Sequence, residues 1–192
     1  MPRIAALLSY PIDWGHALRV KSVAVGPLGM DGDRRWRISD ETGAILKGGA
    51  LSQLFVEQRA AELVVSAAGL ERLTLPSDGA DAWFTKLLGK TARCTARPSG
   101  FAVPLLATTT ASLGHLNQAL PDVVGIERFA PSLVIEGTDP FEEDEWRAVK
   151  VGGARFHVTR AGPPRLRFGV ELRLDGPGMV TLRAGQTLEV ER

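Results

Sequence analysis

The sequence predicts a mainly β protein with two or three short α-helices. Three observations carry this: period-two alternation recurs along the chain, turn residues punctuate it, and only two stretches show helical spacing. The 192 residues include 21 glycines and 12 prolines, dispersed so that the intervening runs have the length of short strands. Leu18 to Val25 alternates apolar with polar side chains, and Trp36 and Ile38 share one face of the run Arg34 to Ser39. Leu63 to Val65 and Leu73 to Leu75 flank a turn at Ala68-Gly69-Leu70. Phe156 and Val158 share a face, Val170, Leu172 and Leu174 alternate with charged neighbours, and Leu188 and Val190 repeat the pattern near the end. So many half-buried strands argue for a barrel or a sandwich.

The first helix is expected from Asp81, as N-cap, through the apolar stripe Trp83, Phe84, Leu87 and Leu88 to Gly89. The second begins near Thr110, with Thr110 as its cap, carries Leu113, Leu116 and Leu120 on one side, and ends at Pro121. Pro98-Ser99-Gly100 reads as a boundary between residues 1–97 and residues 101–192.

Composition narrows the function classes. A hydrophobic share of 44% supports a sizeable core, and 23 basic against 22 acidic residues give a net charge of +1. No basic stripe is present, so no nucleic-acid or membrane partner is expected. The apolar run Ile4 to Leu8 is too short to span a bilayer and reads as a first strand. With Cys94 as the only cysteine, no internal disulfide can form, which suits a reducing compartment such as the cytoplasm.

Several motifs then occur in one order. They are Tyr10-Pro11-Ile12, Gly29 to Trp36 with its Gly-Asp-Arg-Arg-Trp core, Trp83 to Gly89, and Ala111-Ser112-Leu113 followed by Leu116-Asn117. The longest is Arg128 to Gly137 continuing through Pro140 to Trp146, and Gly178 to Val190 closes the series. Together they resemble the MOSC family, the molybdenum-cofactor sulfurase C-terminal domains. The resemblance implies an N-terminal β-barrel lobe, a MOSC β-barrel, and a pocket between them for the molybdenum cofactor, a pterin with a phosphate tail. Family members are molybdenum-cofactor oxidoreductases or cofactor sulfurases, and a loop cysteine binds their metal.

This chain departs from the pattern at that pocket. The loop reads Thr159-Arg160-Ala161-Gly162-Pro163-Pro164-Arg165, with Gly162 where the resemblance implies the cysteine. Glycine has no donor, and metal ligation by sulfur requires a thiolate. Asp13-Trp14 replaces a lysine, which could neutralise a phosphate; a like charge about 4 Å away costs roughly 1 to 4 kcal/mol. Ala130 replaces an arginine, and the chain after the loop is short, running from Arg165 almost directly into the last strands.

Arginines remain. Arg34 and Arg128 lie in family motifs, and the loop adds Arg160, Arg165 and Arg167. Guanidinium groups recognise phosphate and carboxylate bidentately, so a small anionic ligand, a pterin or another phosphate or carboxylate compound, is expected. Against this, Arg34 or Arg35 can simply pair with Asp31 or Asp33 and hold a turn. Thr108 and Thr109 precede the second helix, whose N-terminus can attract anions. Trp14 could stack on a flat ligand. Asp13, His16 and His157 are the candidate acid–base groups of a cofactor-independent enzyme; a plain exposed turn with Gly15 at its tip is the other reading of residues 13–16. The acidic run Glu142 to Glu145 reads as a solvated turn. Three functions follow: an anion-binding MOSC protein without a molybdenum–thiolate bond, an enzyme using side chains alone, or a non-catalytic interaction scaffold. Elemental analysis of the purified protein is expected to find no stoichiometric molybdenum; one atom per chain would overturn the reading of Gly162.

Overall fold

The computed structural model describes residues 1–59, 62–98, 100–159 and 168–192. The described strands are β1 (Arg3–Ser9), β2 (Leu18–Val20), β3 (Ser22–Gly26), β4 (Gly29–Met30), β5 (Trp36–Ser39), β6 (Phe55–Arg59), β7 (Glu62–Ser66) and β8 (Leu73–Leu75). Then come helix α1 (Ala80–Leu88), β9 (Arg93–Ala96), β10 (Leu105–Thr109) and helix α2 (Thr110–Ala119). The chain closes with β11 (Leu133–Glu136), β12 (Ala148–Val151), β13 (Ala154–Thr159), β14 (Val170–Leu174), β15 (Val180–Arg183) and β16 (Glu189–Glu191). Short 3₁₀ turns occur at Gly49–Gln53, Ile126–Phe129 and Glu142–Glu145. The mainly β class and its two helices are as the sequence predicts.

Contacts divide the chain into two compact units. One comprises Met1–Leu8, Arg19–Asp31 and Ala102–Arg192, and the other Ser9–Leu18 and Gly32–Phe101. Each has its own core.

In the first unit an eight-stranded sheet runs β16-β12-β13-β14-β10-β11-β1-β2. Its alternating inward residues, among them Leu105, Ala107, Leu133, Ile135, Val149, Phe156 and Leu172, bury one face. The order is linear, so the barrel expected from the resemblance is not closed by a continuous ladder. Its two ends nevertheless meet: Ile4 donates to the Gln186 carbonyl at 2.9 Å, and Leu188 to that of Pro2 at 2.9 Å. The β10–β11 pair is parallel and is connected through α2, while β11 pairs with β1 antiparallel across a bulge at Ile4/Ala6. A parallel neighbour needs a crossover of this kind, which is why the leucine-bearing helix lies between these strands.

Two cap assignments differ from expectation. Thr109 caps α2, its Oγ1 accepting from the Ser112 amide, one residue before the expected Thr110. In the second unit α1 starts after Gly79, and Asp81 lies in its first turn. The Asp81 carboxylate instead accepts from the Cys94 amide at 2.7 Å, tying the helix to β9. Gly89 ends α1 in the left-handed conformation, as a C-terminal glycine should. The remainder of this unit is the β5–β9 pair and the meander β6-β7-β8. Phe84, Ile38, Leu51, Val65 and Leu75, all essentially buried, form its centre.

Gly29 shows how close the backbones run in the first unit. Its φ is +110°, and a Cβ there would collide with the Val103 carbonyl, whose own amide donates to Leu28 at 2.8 Å. Gly29→Ala should therefore destabilise the protein by at least about 2 kcal/mol, read as a lowered midpoint in denaturant unfolding.

Candidate functional site

A charged cluster of the second unit forms where the segment 10–13 lies against 34–36. Arg34 donates its amide to the Tyr10 carbonyl at 2.7 Å, Trp36 to Pro11 at 2.9 Å, and Asp13 to Trp36 at 2.8 Å. This parallel bridge brings Asp13 beside β5. The β5–β9 ladder pairs Arg37 with Thr95 and Trp36 with Ala96, and Arg97 continues β9 by donating to Arg35 at 2.8 Å. Arg34, Arg37 and Arg97 thereby converge on one carboxylate.

The Asp13 side chain is 8% exposed. Its Oδ2 accepts from the Arg97 terminal nitrogen at 2.7 Å and lies 4.0 Å from Arg37 Nε, while Oδ1 is 3.9 Å from Arg34 Nε. Arg34 also pairs with Asp33, whose Oδ1 accepts from the Tyr10 amide at 2.7 Å. Burial raises the Asp33 carboxyl above the ordinary carboxylate range, and Arg34 and the Tyr10 amide pull it back. For Arg97, burial lowers the guanidinium below its usual value, Asp13 raises it, and Arg37 and Arg34 lower it again. Among the described residues three guanidiniums thus face two carboxylates here. Among the described residues Arg37 Nε and Arg97 Nε are buried without a hydrogen-bond acceptor. Removing a partner from a buried ion pair typically costs about 3 to 5 kcal/mol, so Asp13 and Arg97 hold each other in place.

Two non-glycine residues of this unit adopt positive φ, Trp14 at 61° and Arg34 at 48°, and both adjoin Asp13. Such conformations cost of the order of 1 to 3 kcal/mol each and persist only where surroundings impose them. Gly15 donates to the Ile12 carbonyl at 2.9 Å, so Asp13 and Trp14 form the centre of the turn. The sequence places Gly15 at the tip; the structure gives the left-handed position to Trp14. A Cβ on Gly15 would meet Ile12 at 3.0 Å, which is the reason for that glycine. Trp14 is 40% exposed, with the Lys47 ammonium 4.4 Å from its ring centre.

The other sequence candidates stand apart from this cluster or in the other unit. His16 is exposed and its Nδ1 is 3.3 Å from the Ser52 carbonyl. In the first unit His157 lies on an exposed strand face, bonded through Nδ1 to Asp175, which also pairs with Arg155. The bond to His157, with that to Arg155, holds the Asp175 carboxyl below the ordinary range. Arg155 and Lys150 likewise draw Glu191 down to about 2. Arg128 is exposed on its 3₁₀ turn. Arg160, Gly162 and Arg165 lie outside the described residues, as does Arg167.

Thr108 is fully buried and its hydroxyl meets no partner among the described residues. Thr109 is engaged: besides capping α2 it lies 2.7 Å from Ser112 Oγ and 3.2 Å from Glu143 Oε2. Glu143 is 1% exposed and accepts from Ser112 Oγ at 2.8 Å. The acidic run is therefore not wholly solvated. The 3₁₀ turn directs Glu143 inward to the helix N-terminus, where the peptide dipoles favour a negative group, while Glu142 pairs with Arg192 at 2.7 Å. The protein's own carboxylate occupies the place the sequence offered to a ligand anion. Sequence reasoning missed Glu143, Arg37 and Arg97. For Arg37 a signal existed, since Trp36 and Ile38 facing inward put it on the opposite side of β5; nothing distinguished Glu143 from its acidic neighbours.

A family model for the MOSC domain matches residues 95–189. "Mitochondrial amidoxime reducing component 2" of Homo sapiens is 38% identical over 60 residues, covering 31% of this chain and 18% of the relative. The Bos taurus protein of the same name is 25% identical over 181 aligned residues, covering 68% of this chain and 54% of the relative. The matches thus span at most about half the length of these curated relatives. Among solved structures, the YUAD protein from Bacillus subtilis superposes with a TM-score of 0.51 at 9% identity, over 99% of this chain and 96% of that one, a likeness of fold alone. The class is thus a mainly β protein of MOSC-like fold. Through residues 95–189 the chain belongs to the MOSC domain family.

Membership raises the molybdenum cofactor, and the residues present do not fit its usual metal bond. The sole cysteine, Cys94, lies on β9 in the second unit, paired with Ile38. Burial, with the nearby Asp81, pushes its thiol up to about 12, so it holds its proton at neutral pH and is not a ready ligand. Among the described residues no three His, Cys, Asp or Glu side chains cluster as a metal site. Among the described residues, no helix is long and apolar enough to cross a membrane.

Glu143 gives a pH signature. Burial raises its carboxyl above the ordinary range, the Ser112 bond opposing. A raised folded value means the folded state holds the proton more tightly, so this contribution is complete at low pH and fades as pH rises through the folded value. Glu143→Gln should flatten that decline in stability between acidic and neutral pH, measured by thermal unfolding across a pH series; an unchanged profile would show that Glu143 does not titrate in this way.

Proposed function

We propose that this MOSC-family protein binds a small oxyanionic ligand at the Arg34–Arg37–Arg97 cluster and forms no molybdenum–thiolate bond. The observation that carries the reading is the unbalanced guanidinium charge around Asp13, with buried Nε donors on Arg37 and Arg97 lacking acceptors. Guanidinium groups are the side chains best suited to phosphate and carboxylate, and a partly dehydrated site strengthens each contact. The strained backbone at Trp14 and Arg34 supports it, because strain of this kind collects at binding sites. Trp14 offers an exposed aromatic face beside the cluster, suited to a flat ligand such as a pterin.

The protein's residues would bind and orient the anion. No redox step is assigned to them, since the one thiol is partly buried and its pKa is pushed up to about 12. Acid–base chemistry is a weaker fit: Asp13 is committed to Arg97 and His157 to Asp175. A reducing, cytoplasmic setting accords with the lone, partly buried thiol.

Arg37 provides the test because its side chain is 35% exposed and its contact with Asp13 is long, at 4.0 Å. Arg37→Gln is expected to weaken inorganic phosphate binding by about ten-fold or more, the loss of one charge-assisted contact. The unfolding midpoint of the ligand-free protein should hardly move. Unaltered phosphate affinity in calorimetric titration would reject the site.

A further inference from the structure

We propose that Asp13 makes this site selective for oxyanions that carry an acidic hydroxyl, hydrogen phosphate being the simplest, over oxyanions of equal charge that carry none, such as sulfate. The inference deepens the anion-binding reading and rests on it.

An anion beside Arg37 and Arg97 must also lie beside Asp13, because both guanidiniums come within 4.0 Å of Asp13 Oδ2. A carboxylate is acceptor-only. Its Oδ2 accepts from Arg97 at 2.7 Å, but the contact of Arg34 Nε with Oδ1, at 3.9 Å, is beyond hydrogen-bond length. Arg34 is held elsewhere by Asp33. Among the described residues Oδ1 therefore accepts from no protein donor and is open to a ligand hydroxyl, next to a site whose charge attracts anions.

The two requirements conflict for most anions. A fully deprotonated oxyanion satisfies the arginines but sets a lone pair against Oδ1, with like charges close together. One that retains a proton satisfies both: its bare oxygens accept from the guanidiniums while its hydroxyl donates to Asp13. A site built to hydrogen-bond a hydroxyl rejects the analogue lacking it, because the buried partner is then left unpaired. At pH 8 hydrogen phosphate and sulfate have the same charge and nearly the same size and differ by that hydroxyl. A phosphate monoester has a second pKa near about 6, so at pH 8 it is a dianion without one.

Binding of inorganic phosphate, methyl phosphate and sulfate to the full chain at pH 8 and matched ionic strength, measured calorimetrically, tests this. Phosphate is expected to bind at least ten-fold more tightly than sulfate or methyl phosphate. In Asp13→Asn the amide can donate, and sulfate should come within about three-fold of phosphate. Equal affinities of the unaltered protein for phosphate and sulfate would overturn the role of Asp13 while leaving the arginine site standing. Tight methyl phosphate binding at pH 8 would likewise overturn it and point to esterified ligands. No binding of any of the three would overturn both readings. The comparison on the unaltered protein decides the matter even if Asp13→Asn fails to fold.

Discussion

A carboxylate withdrawn from water needs positive charge around it, and the second unit is organised about that requirement at Asp13. An isolated buried carboxylate would shed its charge by taking up a proton. Here Arg97 supplies a direct bond and Arg34 and Arg37 add longer-range attraction. Meeting the requirement dictates much else: the parallel bridge of segment 10–13 to β5, the continuation of β9 to Arg97, and the left-handed backbone at Trp14 and Arg34. The same groups that neutralise Asp13 leave positive charge unspent, so the structural need and the proposed binding share one origin.

The first unit solves a similar problem with neutral donors. Glu143 is buried against hydroxyls and a helix N-terminus, not against arginine. Hydroxyls stabilise the charge less than a guanidinium does, so burial dominates and the proton is held more tightly. The helix N-terminus is thereby filled by the chain itself. A capped helix end with a resident carboxylate anchors β10 to the 3₁₀ turn at 142–145, and its role is architectural.

Much of the architecture was legible because period-two patterning and turn residues are local signals. The strand carrying Phe156 and Val158, that carrying Val170 to Leu174, and the leucine-rich second helix all follow from spacing alone. Caps shifted by a residue because Thr109 and Thr110 are chemically alike, and only the backbone decides which one precedes the first helical turn. Asp81 was drawn away from a cap by the Cys94 amide, a partner thirteen residues distant that no local pattern reveals. The site was read less completely. Asp13, Trp14 and Arg34 were identified through motifs, but Arg37 and Arg97 owe their place to the β5–β9 ladder, a pairing of segments more than fifty residues apart. The left-handed backbone at Trp14 was not legible, because in a turn a glycine ordinarily takes that position.

The interleaving of the two units bears on how the chain assembles during synthesis. All residues of the second unit precede residue 102, so every partner within it has been translated by then. Strand β1 pairs with β11 and meets the segment around Gln186 and Leu188. Its partners are made well after it, so its backbone groups wait unpaired until those later segments have been translated. Long-range pairings of this kind are slow and leave apolar edges open to association. The nascent chain thus passes through a stage in which one unit can be complete while Ile4 to Leu8 remains an unmatched apolar strand.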